Sequence, residues 1–280
     1  MNQKARLPVL SVHRNFLWLL PVVLVACSNG TEPSTTSTAP VTSTTSVTTT
    51  STALVTSTTE TDVFRVLVYH RTEGFRHDSI EAGIAAIEVM GEEHGFAVEA
   101  TQDPETFSGE GLSEYRVIVF LNTSGDVLDR DRELAMEEFV ANGGGFVGIH
   151  AAADTEYEWP WYGELVGAYF QSHPQPQEAA LQVVATGHPL VAEMPESFQR
   201  FDEWYDFQSQ PGDEVTVLVV IDESTYEGGT MGDTHPISWA HESLGGRSFY
   251  TAMGHTVESF SDPIVLTHLL NGILWARGRS

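Results

Sequence analysis

The chain has a single cysteine, Cys27. No intrachain disulfide can form, and everything beyond residue 27 lacks a thiol nucleophile. Basic residues are also scarce: 13 Lys and Arg stand against 39 Asp and Glu, a formal net charge of −26. A chain this acidic does not seek nucleic acid or anionic lipid, and suits cations or neutral substrates. Long apolar runs are missing too. Residues 16–26 (FLWLLPVVLVA) number eleven, whereas crossing a bilayer takes about 20.

That short run has another use. Lys4, Arg6 and Arg14 precede it and Leu24-Val25-Ala26-Cys27 closes it, the order of an export signal ending in a lipobox. Residues 1–27 are therefore expected to be a lipoprotein signal peptide, with Cys27 as the lipidated residue. In residues 28–61, Ser and Thr fill 22 of 34 positions without one aromatic. Such a stretch cannot bury enough surface to offset its ordering entropy. It reads as a disordered tether, open to O-glycosylation, spanning roughly 30 Å as a flexible coil. The expected location is the cell envelope, on the outer side of a bacterial membrane, held by the lipid anchor alone.

Residues 62–280 suit one α/β domain. Strand-like runs at 64–70, 96–100, 116–121 and 146–149 alternate with helical patterns at 80–94 and 129–142. This alternation predicts a parallel sheet with right-handed crossovers. Asp78 or Ser79 is placed to cap the first helix. Four further strands are expected at 179–185, 215–221, 236–241 and 247–253, the last two joined through Gly245-Gly246. A closing helix covers 262–277, with Pro263 in its first turn.

Ligands in such sheets bind beyond the carboxyl ends of the strands, so polar residues at those ends are the candidates. The most informative stretch is 143–154, GGGFVGIHAAAD. A glycine turn feeds a short strand that delivers His150 into a loop of small residues. His150 could act as base, metal ligand or donor to substrate, or brace the turn from inside. His255 and Glu258 (GHTVESF) could form a base and its orienter, or cap the last helix. His77, Asn122, Asp154 and His173 are candidate substrate-binding residues in the same loops.

Aromatic residues crowd 156–174, with Trp159, Trp161 and Tyr162 available to stack on a sugar or to pack as a lid. In FDEWYDF (201–207), Asp202, Glu203 and Asp206 stand among aromatics. Burial there would raise a carboxyl pKa and suit a general acid, unless Arg200 pairs with it. Chemically, His77, His150 and His255 also suit a divalent metal. No His-x-x-x-His or Glu-x-x-His spacing supports one.

FRHDSI, LNTSGDVL, GGGFVGIHAAADT, WPWYGELVGAYFQSHP, FDEWYDF, HPISWAHESLGGRSFYTAMGHTVESF and LNGILWA occur in that order. Together they resemble the trehalose-utilisation (ThuA-like) family across nearly the whole domain. The resemblance implies a three-layer α/β sandwich with a mostly parallel central sheet, flavodoxin-like and similar to class I glutamine amidotransferases. That fold's nucleophile would sit in Gly-x-Cys-x-Gly; this chain has Gly148-Ile149-His150-Ala151-Ala152. Glutamine hydrolysis through a thioester is thereby excluded.

The resemblance further implies trehalose-type or oxidised disaccharides, or glycans, as substrates, with a sugar oxidoreductase as a conceivable partner. Two functions remain. One is a carbohydrate-active enzyme using His150, His255, Glu258 and Glu203. The other is a non-catalytic sugar-binding or scaffold protein. Clustered strand-end histidines favour the enzyme.

Overall fold

The computed structural model describes residues 63–278. The expected leader 1–27, Cys27 and the tether 28–61 lie outside the described residues. Among the described residues no helix is long and apolar enough to cross a membrane.

The chain alternates as expected through its first half: β1 (Phe64–Tyr69), α1 (Ile80–His94), β2 (Phe96–Thr101), α2 (Gly109–Leu112), β3 (Val117–Leu121), α3 (Arg130–Ala141) and β4 (Gly145–Ile149). Then come α4 (Pro160–Val166), β5 (Phe170–Ser172), β6 (Gln177–Val183), β7 (Ser197–Asp202), β8 (Asp206–Phe207), β9 (Thr216–Ile221), β10 (His235–His241), β11 (Ser248–Thr251) and α5 (Pro263–Ala276). Nine strands form one sheet in the order β2-β1-β3-β4-β11-β10-β9-β6-β7. Its β2-β1-β3-β4-β11 part is parallel, and β10-β9-β6-β7 extends it as an antiparallel wing. β5 and β8 form a small separate pair.

Helices flank the sheet in the expected three layers. The connection β1-α1-β2 runs one way along the sheet and β3-α3-β4 the other, so right-handed crossovers place α1 and α3 on opposite faces. The switch lies between β1 and β3, where doubly wound sheets open a crevice. β3, β4, β10 and β11 are buried at every position, because both faces are covered. Leu121 pairs with Ile149, and Ile149 with Thr251. Three strands therefore end level with one another.

Two local expectations change. Ser79 holds the cap position of α1, yet its hydroxyl donates to the Gly254 carbonyl at 2.9 Å instead of capping the helix. Asp78 is exposed and makes no cap either. Strand β7 had no sequence signal because its inward residues include Arg200 and Asp202, a buried ion pair at 2.9 Å where an apolar pattern would be expected.

Candidate functional site

His150 is the first residue after β4, with φ of +48°. A non-glycine residue in this left-handed region is strained, and such strain gathers at functional turns. The turn needs small neighbours. A Cβ on Gly148 would meet Tyr250 at 3.1 Å and Ala152 at 3.3 Å. The Nδ1 of His150 lies 2.7 Å from the Ala252 carbonyl. A carbonyl only accepts, so Nδ1 carries the proton and Nε2 keeps a free lone pair. That Nε2 is buried without a hydrogen-bond partner.

Among the described residues three more histidine ring nitrogens share this state, that of His70 and two beside His150. His77, in the β1–α1 loop, and His255, after β11, each bury an unpartnered Nδ1. The His77 ring stands edge-on to His150 at 4.8 Å and to His255 at 5.2 Å between centroids. Glu203, just past β7, closes the group. Its Oε2 is 3.4 Å from His150 Nε2 and 3.2 Å from His255 Nδ1, close but not aligned as hydrogen bonds. One donor atom from each of His77, His150, Glu203 and His255 lies within 4.8 Å of the others. Orphaned buried nitrogens are rare in folded proteins. Two of them face the Glu203 carboxylate, and the His77 ring stands against both histidines; three imidazoles and a carboxylate are a donor set that suits a first-row divalent metal.

The electrostatics agree. Burial alone would raise the Glu203 carboxyl, but His150 and His255 override it and hold it well below the usual carboxylate range. Glu203 is thus ionised, which corrects the expectation of a raised general acid. Burial, together with the neighbouring His150 and His255, pushes His77 down to about 3. It stays neutral, the form that binds metals. Burial would lower His255, yet Glu203, with Asp202 and Asp78, raises it.

A second layer fixes these ligands. Asp202, fully buried, accepts from the backbone N–H of Glu203 and of His255 through Oδ1, at 3.0 and 3.1 Å. Its Oδ2 accepts from Gly254 N–H at 3.1 Å, from the Ser259 hydroxyl at 3.2 Å and from Arg200 Nη2 at 2.9 Å. One carboxylate thus ties the Glu203 segment to the His255 loop. The Tyr205 ring covers His150 at 4.2 Å.

The rim holds two other candidates. His173 is exposed, with Nδ1 3.1 Å from Glu203 Oε1. Asp154 closes the 3-10 turn that His150 opens. Burial raises its pKa, against the Tyr157 hydroxyl that donates to it at 2.6 Å.

Several candidates lie elsewhere. Glu258 is exposed and lines a separate apolar cleft of about 860 Å³ between α1 and α5, so the carboxylate beside His255 is that of Glu203. Asn122 is fully buried, donating to Ser79 Oγ and the Gly254 carbonyl and accepting from Ala151 N–H. It braces loops. Asp206 is buried on β8 and accepts from Thr230 N–H, next to Glu223 and His235. Trp159 and Tyr162 are buried, and Trp161 stacks on Trp159 at 5.0 Å. That aromatic segment packs onto the core, because its rings satisfy one another and its polar ends reach Glu137 and the Ala152 carbonyl. Sequence reasoning singled out Asp202 among the acids of that acidic and aromatic run, 201–207, and the structure pairs it with Arg200; it missed Tyr205, in the same run. It also missed Phe75, which lies edge-on to His77 at 4.9 Å.

The family model for trehalose utilisation (ThuA) matches residues 65–276. A ThuA-like protein from Bacteroides uniformis is 28% identical, with a TM-score of 0.67 over 76% of this chain and 91% of its own. A second, from Parabacteroides merdae, is 20% identical, with a TM-score of 0.63 over 77% and 90%. A cytoplasmic protein from Salmonella typhimurium shares the fold at 12% identity, with a TM-score of 0.56 over 76% and 99%. No curated protein matches the chain in sequence.

Proposed function

Because this chain belongs to the trehalose-utilisation (ThuA) family, we propose that it is a metal-dependent enzyme acting on a disaccharide of the trehalose type or its keto form. The observation that carries the reading is that donor atoms of His77, His150, His255 and Glu203 lie within 4.8 Å of one another while each of the three histidines buries an unpartnered ring nitrogen. His77, His150, His255 and Glu203 would hold the ion. A bound divalent cation supplies Lewis-acid polarisation of a sugar oxygen and lowers the pKa of a bound water. Asp202 and the Ala252 carbonyl orient the ligands. Asp154 and His173, partly exposed at the rim, are available to exchange protons with a bound sugar. Two covalent routes lack their residues: the chain has one lysine, Lys4, and one cysteine, Cys27. Neither a lysine imine on a keto sugar nor a thioester can form in the folded domain.

The anchored location keeps its place in this reading. The lipobox at Cys27 and the tether would present the site to sugars outside the cell, membrane contact being through the lipid alone.

Metal content of the purified full chain tests the centre, followed by product analysis with trehalose and 3-keto-trehalose. About one transition-metal equivalent per chain is expected, with loss of metal and turnover in His150→Ala and His255→Ala. A metal-free chain that no divalent ion stabilises against heating would overturn the metal centre. Stoichiometric metal and sugar binding without turnover would favour the sugar-binding alternative.

A further inference from the structure

We propose that Phe75 is a sugar-ring platform: the substrate pyranose lies on its exposed face while a hydroxyl or carbonyl of that sugar reaches the His77–His150–His255–Glu203 centre. The inference rests on the sugar reading above and adds the subsite that would hold the ring.

Phe75 is the most exposed large apolar side chain among the described residues, at 66%. Single exposed apolar side chains are common and carry no message by themselves. Two further observations set this one apart. Its ring stands nearly perpendicular to that of His77, with centroids 4.9 Å apart and an interplanar angle of 83°, so it borders the candidate metal centre directly. Its backbone is also pinned. The Phe75 carbonyl accepts from the Ser124 hydroxyl at 2.7 Å, and the N–H groups of Glu73 and Gly74 both donate to the Ser124 carbonyl. Thr72 bridges to Ser124 as well. Gly125 takes φ of +79° and approaches so closely that a Cβ there would sit 3.0 Å from Gly74 N. The loop therefore holds an aromatic face in solvent without letting it fold back onto the core.

A rigid exposed ring suits a sugar, whose axial C–H face packs on an aromatic plane. Holding it rigid beforehand removes part of the ordering cost of binding. The aromatic residues expected to do this, Trp159, Trp161 and Tyr162, are stacked on one another. On the far side of the centre, Tyr205 covers His150 and Phe170 covers Tyr205 at 4.3 Å. Tyr157 is also exposed at the rim, but its hydroxyl is tied to Asp154 and its ring packs on Tyr169, which leaves Phe75 as the exposed ring that borders a histidine of the centre.

The test uses the metal-loaded full chain with trehalose and 3-keto-trehalose as probes, in calorimetric binding to wild type, Phe75→Ala and Phe75→Trp. Phe75→Ala should weaken binding by about tenfold. Phe75→Trp should stay within about threefold of wild type, since it keeps an aromatic face. Metal content and melting temperature should not change in either variant, because the side chain is exposed and is not a ligand. If wild type binds a probe and Phe75→Ala binds it equally well, the platform is overturned and the sugar reading stands. Equal losses in Phe75→Ala and Phe75→Trp also overturn the platform, since a structural effect would then explain both. If metal-loaded wild type binds neither probe, the sugar reading falls and the platform falls with it.

Discussion

At the scale of single residues, Asp202 does more for the site than any ligand does for itself. It accepts five hydrogen bonds while fully buried, and these fix the backbones of Glu203 and His255. Asp202→Ala would orphan three backbone N–H groups and leave Arg200 with Asp262 as its remaining carboxylate, at 3.1 Å. Breaking a buried pair and stranding its donors costs about 3–5 kcal/mol. Denaturant unfolding of Asp202→Ala should therefore show a loss in that range, and its metal content should fall although no ligand has changed. A loss under about 1 kcal/mol, or unchanged metal content, would show that the loops hold themselves in place. The pairing of Arg200 with an acid of 201–207 was legible as an alternative, but its burial was not, because Arg200 and Asp202 alternate as an ordinary exposed strand would. Only the fold turns their side of β7 inward. His150 was legible, since its glycine turn, short apolar run and small-residue loop are all local signals.

At the scale of elements, the parallel half of the sheet could be read because apolar runs, helical spacing and glycine stops agree there. The residues of the centre could be named one by one from their strand-end loops, but their convergence could not, because a metal spacing within one helix leaves a motif and this one has none. His77 follows β1, His150 follows β4, His255 follows β11 and Glu203 follows β7. The level ends of β3, β4 and β11 bring distant segments together, which short spacing rules cannot see.

Another tie of this kind offers a pH test. Glu156, at φ of +58°, sends one oxygen to the N–H groups of Val127 and Leu128 at 2.8 Å each. It joins the loop before α3 to the turn before α4. Burial raises its pKa to about 7, against the two N–H donors. Between pH 4.5 and 7 the folded state then keeps a proton that the unfolded chain has shed. Wild-type stability from this group is full below 4.5 and is lost as pH rises to 7. Glu156→Gln keeps an acceptor for both donors and has no proton to lose. Its stability relative to wild type should climb across that window, by as much as about 3 kcal/mol, and be flat above it. A relative stability independent of pH between 4.5 and 7.5 would show that Glu156 is ionised throughout.

At the scale of the whole molecule, charge decides which sugars the centre can take. The formal net charge is −26, and the basic residues closest in sequence to the ligands are already paired. Arg71 binds Glu73, Arg76 binds Glu81 and Arg200 binds Asp202 and Asp262. No free guanidinium is left there to meet an anion, while Glu203, Asp202 and Asp154 supply negative charge at the centre. A phosphate ester carries a charge of about −1.5 to −2 at neutral pH. It would enter against that field with only the bound cation to attract it. A neutral disaccharide pays no such cost. Trehalose 6-phosphate should therefore bind the metal-loaded chain at least about tenfold more weakly than trehalose, and raising the salt from 10 mM to 150 mM should narrow the gap. At those concentrations the screening length falls from about 30 Å to about 8 Å. Trehalose binding itself should hardly respond to salt. Tighter binding of the phosphate ester would mean that the cation outweighs the acidic surroundings, and the site would then be one for anionic sugars.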